Sequence, residues 1–319
     1  MPLTTESSYQ RSKLLFSGHL ETIYPALFRK VEIQKPVRER IETPDEDFLD
    51  LDWFRSGSRR LVIISHGLEG NSTRPYMLGM ARKFILAGFD VLTWNFRGCG
   101  EELNRKAIFY HSGATYDLET VVNHGQKNYQ EIYLLGFSLG ANLTLKYLGE
   151  KKSSNSKLKK AVTISVPLDL ASSCKKISTG ENIIYSKRFL TTLKAKVVAK
   201  SLIFPQELNL KMLQKTKTLR DFDDFYTGPL HGFQDAAEYY EINSSLQFLD
   251  RIEIPTLVLN ARNDPFLSTA CFPTKLAKSL DLIHFEFPKH GGHVGFSGPS
   301  REKSYYSEQR AVEFITHDL

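Results

Sequence analysis

The residues that could do chemistry fall in a telling order along the chain. Gly136-Phe137-Ser138-Leu139-Gly140 matches G-x-S-x-G, the pattern that seats a serine on a strained turn between a strand and a helix. Flanking glycines let neighbouring backbone approach, and the helix N-terminus that follows aims free N–H groups at developing negative charge. A serine hydroxyl attacks poorly until a base takes its proton. The oxyanion formed by that attack needs hydrogen-bond donors. One expected donor is the N–H of the residue after the serine, Leu139. The second should come from the loop after an early strand, where Ser65-His66-Gly67-Leu68 stands, which nominates the N–H of Leu68. His66 is then expected to shape that loop, not to act as the base.

An acid and a histidine should follow the serine in the chain. Asp264 ends the run "TLVLNARND", and Pro265 stops the strand behind it. That puts the Asp264 carboxylate at the C-terminal edge of the strand. Asp169, just after "TISVP", competes with it; its bland role is to cap a helix N-terminus. Beyond the last apolar run lie His290 and His293, in "FPKHGGHVGF". Metal binding by this pair would need two or three more ligands, and no HExxH or Cys/His cluster accompanies them. His293, between Gly292 and Gly295, lies deeper in the loop and has the longer reach. Spacing favours it over His290 without eliminating His290.

These residues must be held by a particular set of elements. Short apolar runs of the buried parallel-strand type occur at 60–67, 90–98, 131–140, 160–167, 255–264 and 283–292. Helical segments separate them. "RPYMLGMARKFILAG" places Met77, Met80, Ala81, Phe84 and Ile85 on one stripe and ends at Gly88. "TYDLETVVNHGQ" sets Asp117 and Glu119 in a first turn, where they would favour the helix dipole. "ANLTLKYLG" offers Ala141, Leu145 and Leu148. Alternating strand and helix predicts an α/β fold with a mostly parallel sheet flanked by helices.

The alternation breaks over 168–250, a Lys-rich helical stretch between two strands. It is expected to be a helical cap inserted over the C-terminal edge of the sheet, where open α/β sheets bind ligands. The division is therefore 1–55 as an N-terminal extension packed on the core, 56–167 and 251–319 as the core, and 168–250 as the cap. In the extension, "LLFSGHLETIYPALFRK" has helix-like spacing. "RERIETPDEDFLDLDWF" reads as strand, turn at Pro44-Asp45, strand, with alternation returning in Phe48, Leu49, Leu51 and Trp53.

Composition limits the function classes. A chain of 319 residues with 41% hydrophobic content can bury a large core. No run approaches the roughly 20 apolar residues of a membrane span, and the N-terminus lacks the basic-then-apolar order of a signal peptide. Cys99, Cys174 and Cys271 are isolated and odd in number, which points to a reducing, cytoplasmic setting; the sequon at Asn71 carries little weight there. Net charge is +6 with a pI near 9.0. The excess lies in "GEKKSSNSKLKKA" and "SKRFLTTLKAKVVAK", which read first as solvated basic surface. A weak contact with a lipid surface, through Phe189, Leu193 and Val197 on one helix face, is the sharper alternative to ordinary packing. No nucleic-acid motif, G-x-G-x-x-G or P-loop is present, so neither nucleic acid nor a cofactor is expected, and no obligate protein partner is evident.

Several motifs together carry a resemblance. "GFSLGAN", "ARNDP", "GGHVGF", "SHGLEG", "FSGHLETIYP", "NFRGCG" and "YHSGATYDL" are similar to those of the YheT-like branch of the α/β-hydrolases, also called α/β-hydrolase family 4, over about residues 14–315. The resemblance implies an α/β-hydrolase fold and a Ser-Asp-His triad at Ser138, Asp264 and His293, because the family carries its histidine within G-G-H-x-G-F. It implies carboxylesterase activity, with relatives acting on medium-chain acyl esters and phospholipids. The N-terminal membrane anchor of some eukaryotic relatives is not expected here. The function expected is hydrolysis of short- to medium-chain acyl esters through an acyl-enzyme. An acyltransferase using an alcohol acceptor is the alternative, and a non-catalytic binding scaffold is a weaker one. The rich aromatic stretch 222–240 is a candidate wall of the acyl pocket.

Overall fold

The computed structural model describes residues 3–4, 7–151, 156–298 and 304–317. Residues 152–155 of the basic stretch 149–161 lie outside the described residues, as do 299–303 and the chain's last two positions. In chain order the main elements are β1 (Leu3–Thr4), α1 (Gly18–Phe28), β2 (Val37–Glu42), β3 (Phe48–Phe54), β4 (Arg60–Ser65), α2 (Pro75–Leu86), β5 (Asp90–Asn95), α3 (Thr115–Gln126), β6 (Glu131–Phe137), α4 (Leu139–Glu150), β7 (Leu158–Ile164), α5 (Leu170–Ile177), α6 (Ile183–Ser201), α7 (Ala236–Asn243), β8 (Thr256–Leu259), β9 (Ile283–Glu286) and α8 (Tyr306–Thr316). The strands form one nine-stranded sheet in the order β1-β9-β8-β7-β6-β4-β5-β3-β2. Only β2 and β3 run antiparallel to their neighbours.

The apolar runs are continuous because both faces of the sheet are covered. Leu61 and Ile63 of β4 face one layer, where Leu118 and Val121 of α3 and Leu145 of α4 pack. Val62 and Ile64 face the other, against Met77, Met80 and Phe84 of α2 and Phe314 of α8. Each such side chain, fully buried, contributes about 1.5–3 kcal/mol of transfer free energy.

At the sheet's antiparallel edge the strand expected around Leu49, Leu51 and Trp53 is β3, and both its faces are covered, since every residue from Phe48 to Phe54 is buried. Asp50 and Asp52, on the second face, are covered by Arg40 and Arg38, which fork onto them at 2.5–3.1 Å. Asp117 does open α3, but its carboxylate is spent on the buried Arg97 guanidinium, 2.7 Å away. Arg97 also reaches Asp45 at 2.7 Å and Asp47 at 3.1 Å. A buried cation without such partners would be strongly destabilising, so pairing outranks the dipole as Asp117's role. Glu119 instead meets Lys151 at 2.7 Å.

Between β7 and β8, residues 168–250 are helices and turns with no strand. Leu190, Leu193 and Val197 of α6 are buried in a cluster with Leu208, Phe222, Tyr226 and Phe109. Packing takes up that apolar stripe, and α6 exposes Ile183, Ile184 and Val198 instead. The three cysteines are free thiols. Among the described residues, no helix is long and apolar enough to cross a membrane.

Candidate active site

Ser138 sits between β6 and α4 with φ +52° and ψ −117°, a backbone state that costs a residue with a Cβ on the order of 1–3 kcal/mol. Its neighbours over-determine it. A Cβ on Gly140 would collide with the carbonyl oxygens of Ser65 and His66, and one on Gly136 with the backbone of Gly140 and Ala141. Strand β6, helix α4 and the end of β4 therefore meet backbone to backbone. The Ser138 N–H donates to Ile164 O at 2.9 Å, tying the turn to β7.

The loop after β9 brings His293 to this serine. His293 Nε2 lies 2.9 Å from Ser138 Oγ, and Nδ1 lies 2.8 Å from Asp264 Oδ2. Asp264, in the loop that follows β8, is 1% exposed. A carboxylate can only accept, so Nδ1 carries the proton and Nε2 is left to accept from the serine hydroxyl. The other Asp264 oxygen accepts the Phe266 N–H at 2.8 Å, and the Phe266 ring lies over the imidazole at 4.1 Å between centroids. Both ring nitrogens are engaged, so neither is free to bind a metal.

The bond to the serine is made by His293 and not by His290. His290 is half-buried, with Nδ1 3.5 Å from the Asn263 amide. Asp169 caps α5, accepting the Ser172 N–H at 2.8 Å. His66 is fully buried, and burial pushes its pKa down to about 3. As a neutral ring it donates from Nδ1 to Gly67 O at 2.8 Å and accepts the Phe96 N–H on Nε2 at 3.2 Å. Those two bonds shape the loop that carries Leu68.

Around Leu68 the backbone donors are nearly all taken. The Gly67 N–H goes to the Tyr76 phenol at 3.0 Å and the Glu69 N–H to the Tyr110 phenol at 2.8 Å. Among the described residues, the Leu68 N–H between them has no acceptor. Leu139 is the first residue of α4, so its N–H has no intrahelical acceptor either. Both residues line the cavity that also holds Ser138 and His293.

That cavity measures about 360 Å³. One wall comes from α5 and α6, through Leu170, Ile177, Phe189 and Leu193. Asp223, Tyr239 and Tyr240 come from the 222–240 stretch. A third set had no assigned role in the sequence: Thr22, Ile23 and Leu27 of α1. Thr22 Oγ1 accepts the His293 N–H at 2.8 Å. Buried Glu21 accepts from Asn263 Nδ2 at 2.6 Å, and Asn263 Oδ1 accepts the Gly292 N–H at 3.1 Å. Gly292 has φ +60°, and a Cβ there would press on Gly18 O and Thr22 Oγ1 at 2.8 Å. The histidine loop is thus moulded onto α1. The signal was present in "FSGHLETIYP", which marked a resemblance but said nothing of contact.

Comparison with known proteins places the fold and the family. A family model described as the alpha/beta hydrolase fold matches residues 60–296. The YheT protein of Escherichia coli (strain K12), whose name gives it a provisional esterase activity, is 35% identical over 93% of this chain and 90% of its own length. A Saccharomyces cerevisiae protein named monoacylglycerol lipase is 30% identical over 83% of this chain, which spans 60% of that protein. Among solved structures, the Pyrococcus furiosus esterase Pf2001 aligns with a TM-score of 0.58 at 17% identity, over 90% of this chain and 97% of that one. At that identity the likeness speaks for the fold.

Proposed function

Since the chain belongs to the YheT-like branch of the α/β-hydrolase family, we propose that it is a serine esterase acting on short- to medium-chain acyl esters through an acyl-enzyme. The observation that carries this is the unbroken line Ser138 Oγ, His293, Asp264, with links of 2.9 and 2.8 Å. In this reading His293 takes the serine proton as Oγ attacks the ester carbonyl. The N–H groups of Leu68 and Leu139 receive the oxyanion. Asp264 holds the tautomer and stabilises the imidazolium. His293 then gives its proton to the leaving alkoxide. Water, deprotonated by the same imidazole, clears the acyl group and regenerates the serine.

Residues 168–250 act here as a cap that, with α1, walls the acyl pocket. The lining is mainly apolar side chains, which suits a hydrocarbon chain over a charged one. Leu27 both lines the cavity and is 58% exposed, beside Phe28 at 66%. That pair supports weak contact between the pocket mouth and a lipid surface.

The test is a chain-length series of p-nitrophenyl esters with fluorophosphonate labelling, in wild type and Ser138→Ala. Labelling and turnover are expected in wild type alone, strongest for short to medium chains. Turnover that survives in Ser138→Ala overturns the mechanism. Adding ethanol and measuring ethyl ester against free acid shows whether water is the preferred acceptor.

A further inference from the structure

The proposed oxyanion donor Leu68 is followed by Glu69, whose backbone is left-handed at φ +52°. Residues with a Cβ adopt that state rarely, and a single turn residue of this kind must be held from outside. Four bonds hold it. The Glu69 N–H donates to the Tyr110 phenol, and the phenol donates back to Glu69 Oε1, each at 2.8 Å. Arg74 donates to the Glu69 carbonyl at 3.1 Å. The fourth comes from the cap: Lys196 Nζ, on α6, donates to Glu69 Oε1 at 2.6 Å.

This cap-to-core contact is unlike the other. Among the described residues, two ion pairs join 168–250 to the rest of the chain. His19–Glu181 is a surface pair, its carboxylate 86% exposed. Lys196–Glu69 is enclosed, its side chains 18% and 6% exposed. One turn further along α6, Lys200 Nζ donates to the carbonyls of Lys106 and, at 2.8 Å, Ile108. The inner face of α6 therefore grips the core through two lysines, and one of them ends on the residue beside the oxyanion donor.

We propose that Lys196 is a positioning residue. Through Glu69 it sets the direction of the Leu68 N–H, so that the oxyanion hole is complete only while α6 is seated. This rests on the serine-esterase reading above. The physical reason is the cost of leaving a carboxylate enclosed without its cation. Without Lys196, Glu69 turns toward water, the left-handed turn relaxes, and the Leu68 N–H leaves its line. Because the oxyanion exists only in the tetrahedral state, the loss falls on kcat and spares KM.

The experiment compares Lys196→Met, Lys196→Arg and Glu69→Gln with wild type and Ser138→Ala. Each is assayed for p-nitrophenyl butyrate kinetics, for Kd of an alkyl boronic acid that forms a tetrahedral adduct on serine, and for Tm. Loss of a whole oxyanion donor costs about 10²–10³ in kcat, so its misdirection should cost roughly ten- to a hundredfold. Lys196→Met is expected to lose that much kcat with KM within about threefold, and to weaken boronic acid binding by a similar factor. Lys196→Arg should restore both, and the double variant Lys196→Met/Glu69→Gln should be no worse than the poorer single. Wild-type kcat in Lys196→Met, a loss confined to KM, or a loss that tracks Tm and ignores the arginine would each overturn the proposal. If Lys196→Met does not fold, Glu69→Gln, which keeps the shape of the side chain, carries the same readouts. Turnover that requires Ser138 but is indifferent to Lys196 removes only the positioning role. Turnover in Ser138→Ala removes the esterase reading and this proposal with it.

Discussion

The floor of the cavity and its roof are built by different rules. The floor joins β6, α4 and the histidine loop through backbone in direct contact, with Gly136, Gly140 and Gly292 at points where a Cβ meets another chain segment. The roof, from α5 to α7, is built of side chains. Leu193, Phe222 and Tyr226 interdigitate in a cluster that also reaches down to Phe109 and Phe266. Backbone contact has no slack, so the floor tolerates one geometry. Side-chain packing can relax part of the way when an atom is removed. On the proposed reading, the difference divides chemistry on the floor from chain selectivity in the roof, with Lys196 as the roof side chain that reaches down to the chemistry.

The largest test of that division is at the triad. Ser138→Ala should lower kcat on the order of 10⁵–10⁶-fold, and Asp264→Asn by about 10⁴-fold because the imidazole loses its tautomer. Steady-state rates on one ester, with Tm unchanged, check both; a mild Asp264→Asn would mean the floor is less exacting than its contacts suggest. Gly140→Ala comes next. Its methyl must displace the Ser65–His66 backbone, and kcat should fall at least a hundredfold, with a drop in Tm that reflects the roughly 1–3 kcal/mol of overpacking.

Thr22→Val probes the part of the floor supplied by α1. It leaves the His293 N–H without its acceptor, a penalty of about 1–3 kcal/mol; about 1.4 kcal/mol of that felt in the transition state is a roughly tenfold fall in kcat/KM. Thr22→Ser should keep the activity, and a valine variant at full rate would detach α1 from the site. On the roof, Leu193→Ala should move the preferred acyl chain to greater length while short-ester kcat stays within about threefold. A collapse on every ester would mean roof and floor are not separable.

The smallest effects involve titration and the second histidine. Burial raises the Asp223 carboxyl to about 6. A carboxyl with a folded pKa above its unfolded value favours the folded state fully below about pH 4, and that contribution is lost as pH rises through 6. Asp223→Asn should therefore gain Tm relative to wild type at pH 8 and gain none at pH 4. His290→Ala should leave turnover within about twofold, while His293→Ala abolishes it.

Much of the floor was legible because its chemistry demands particular residues at particular junctions. G-x-S-x-G between a strand and a helix, Asp264 before a proline, and a histidine among glycines each announce a turn as well as a reagent. Spacing favoured His293 over His290 without eliminating His290. The choice depends on where the loop turns, and Gly291, Gly292, Val294 and Phe296, all at positive φ, decide that together. Thr22 and Glu21 were illegible as site residues because a threonine and a glutamate on a helix say nothing about a loop 270 positions away. The burial of Asp50 and Asp52 was equally illegible, because it depends on Arg38 and Arg40 of the neighbouring strand lying across them.

The moulding of the histidine loop onto α1 has a consequence for the order of events during synthesis. Glu21 and Thr22 leave the ribosome early, yet their partners Asn263, Gly292 and His293 follow about 240–270 residues later. At the roughly 5–20 residues per second of translation, tens of seconds separate α1 from these partners. Glu21 and Thr22 are thus made long before the loop they hold, and their hydrogen bonds to it are among the last the chain can form.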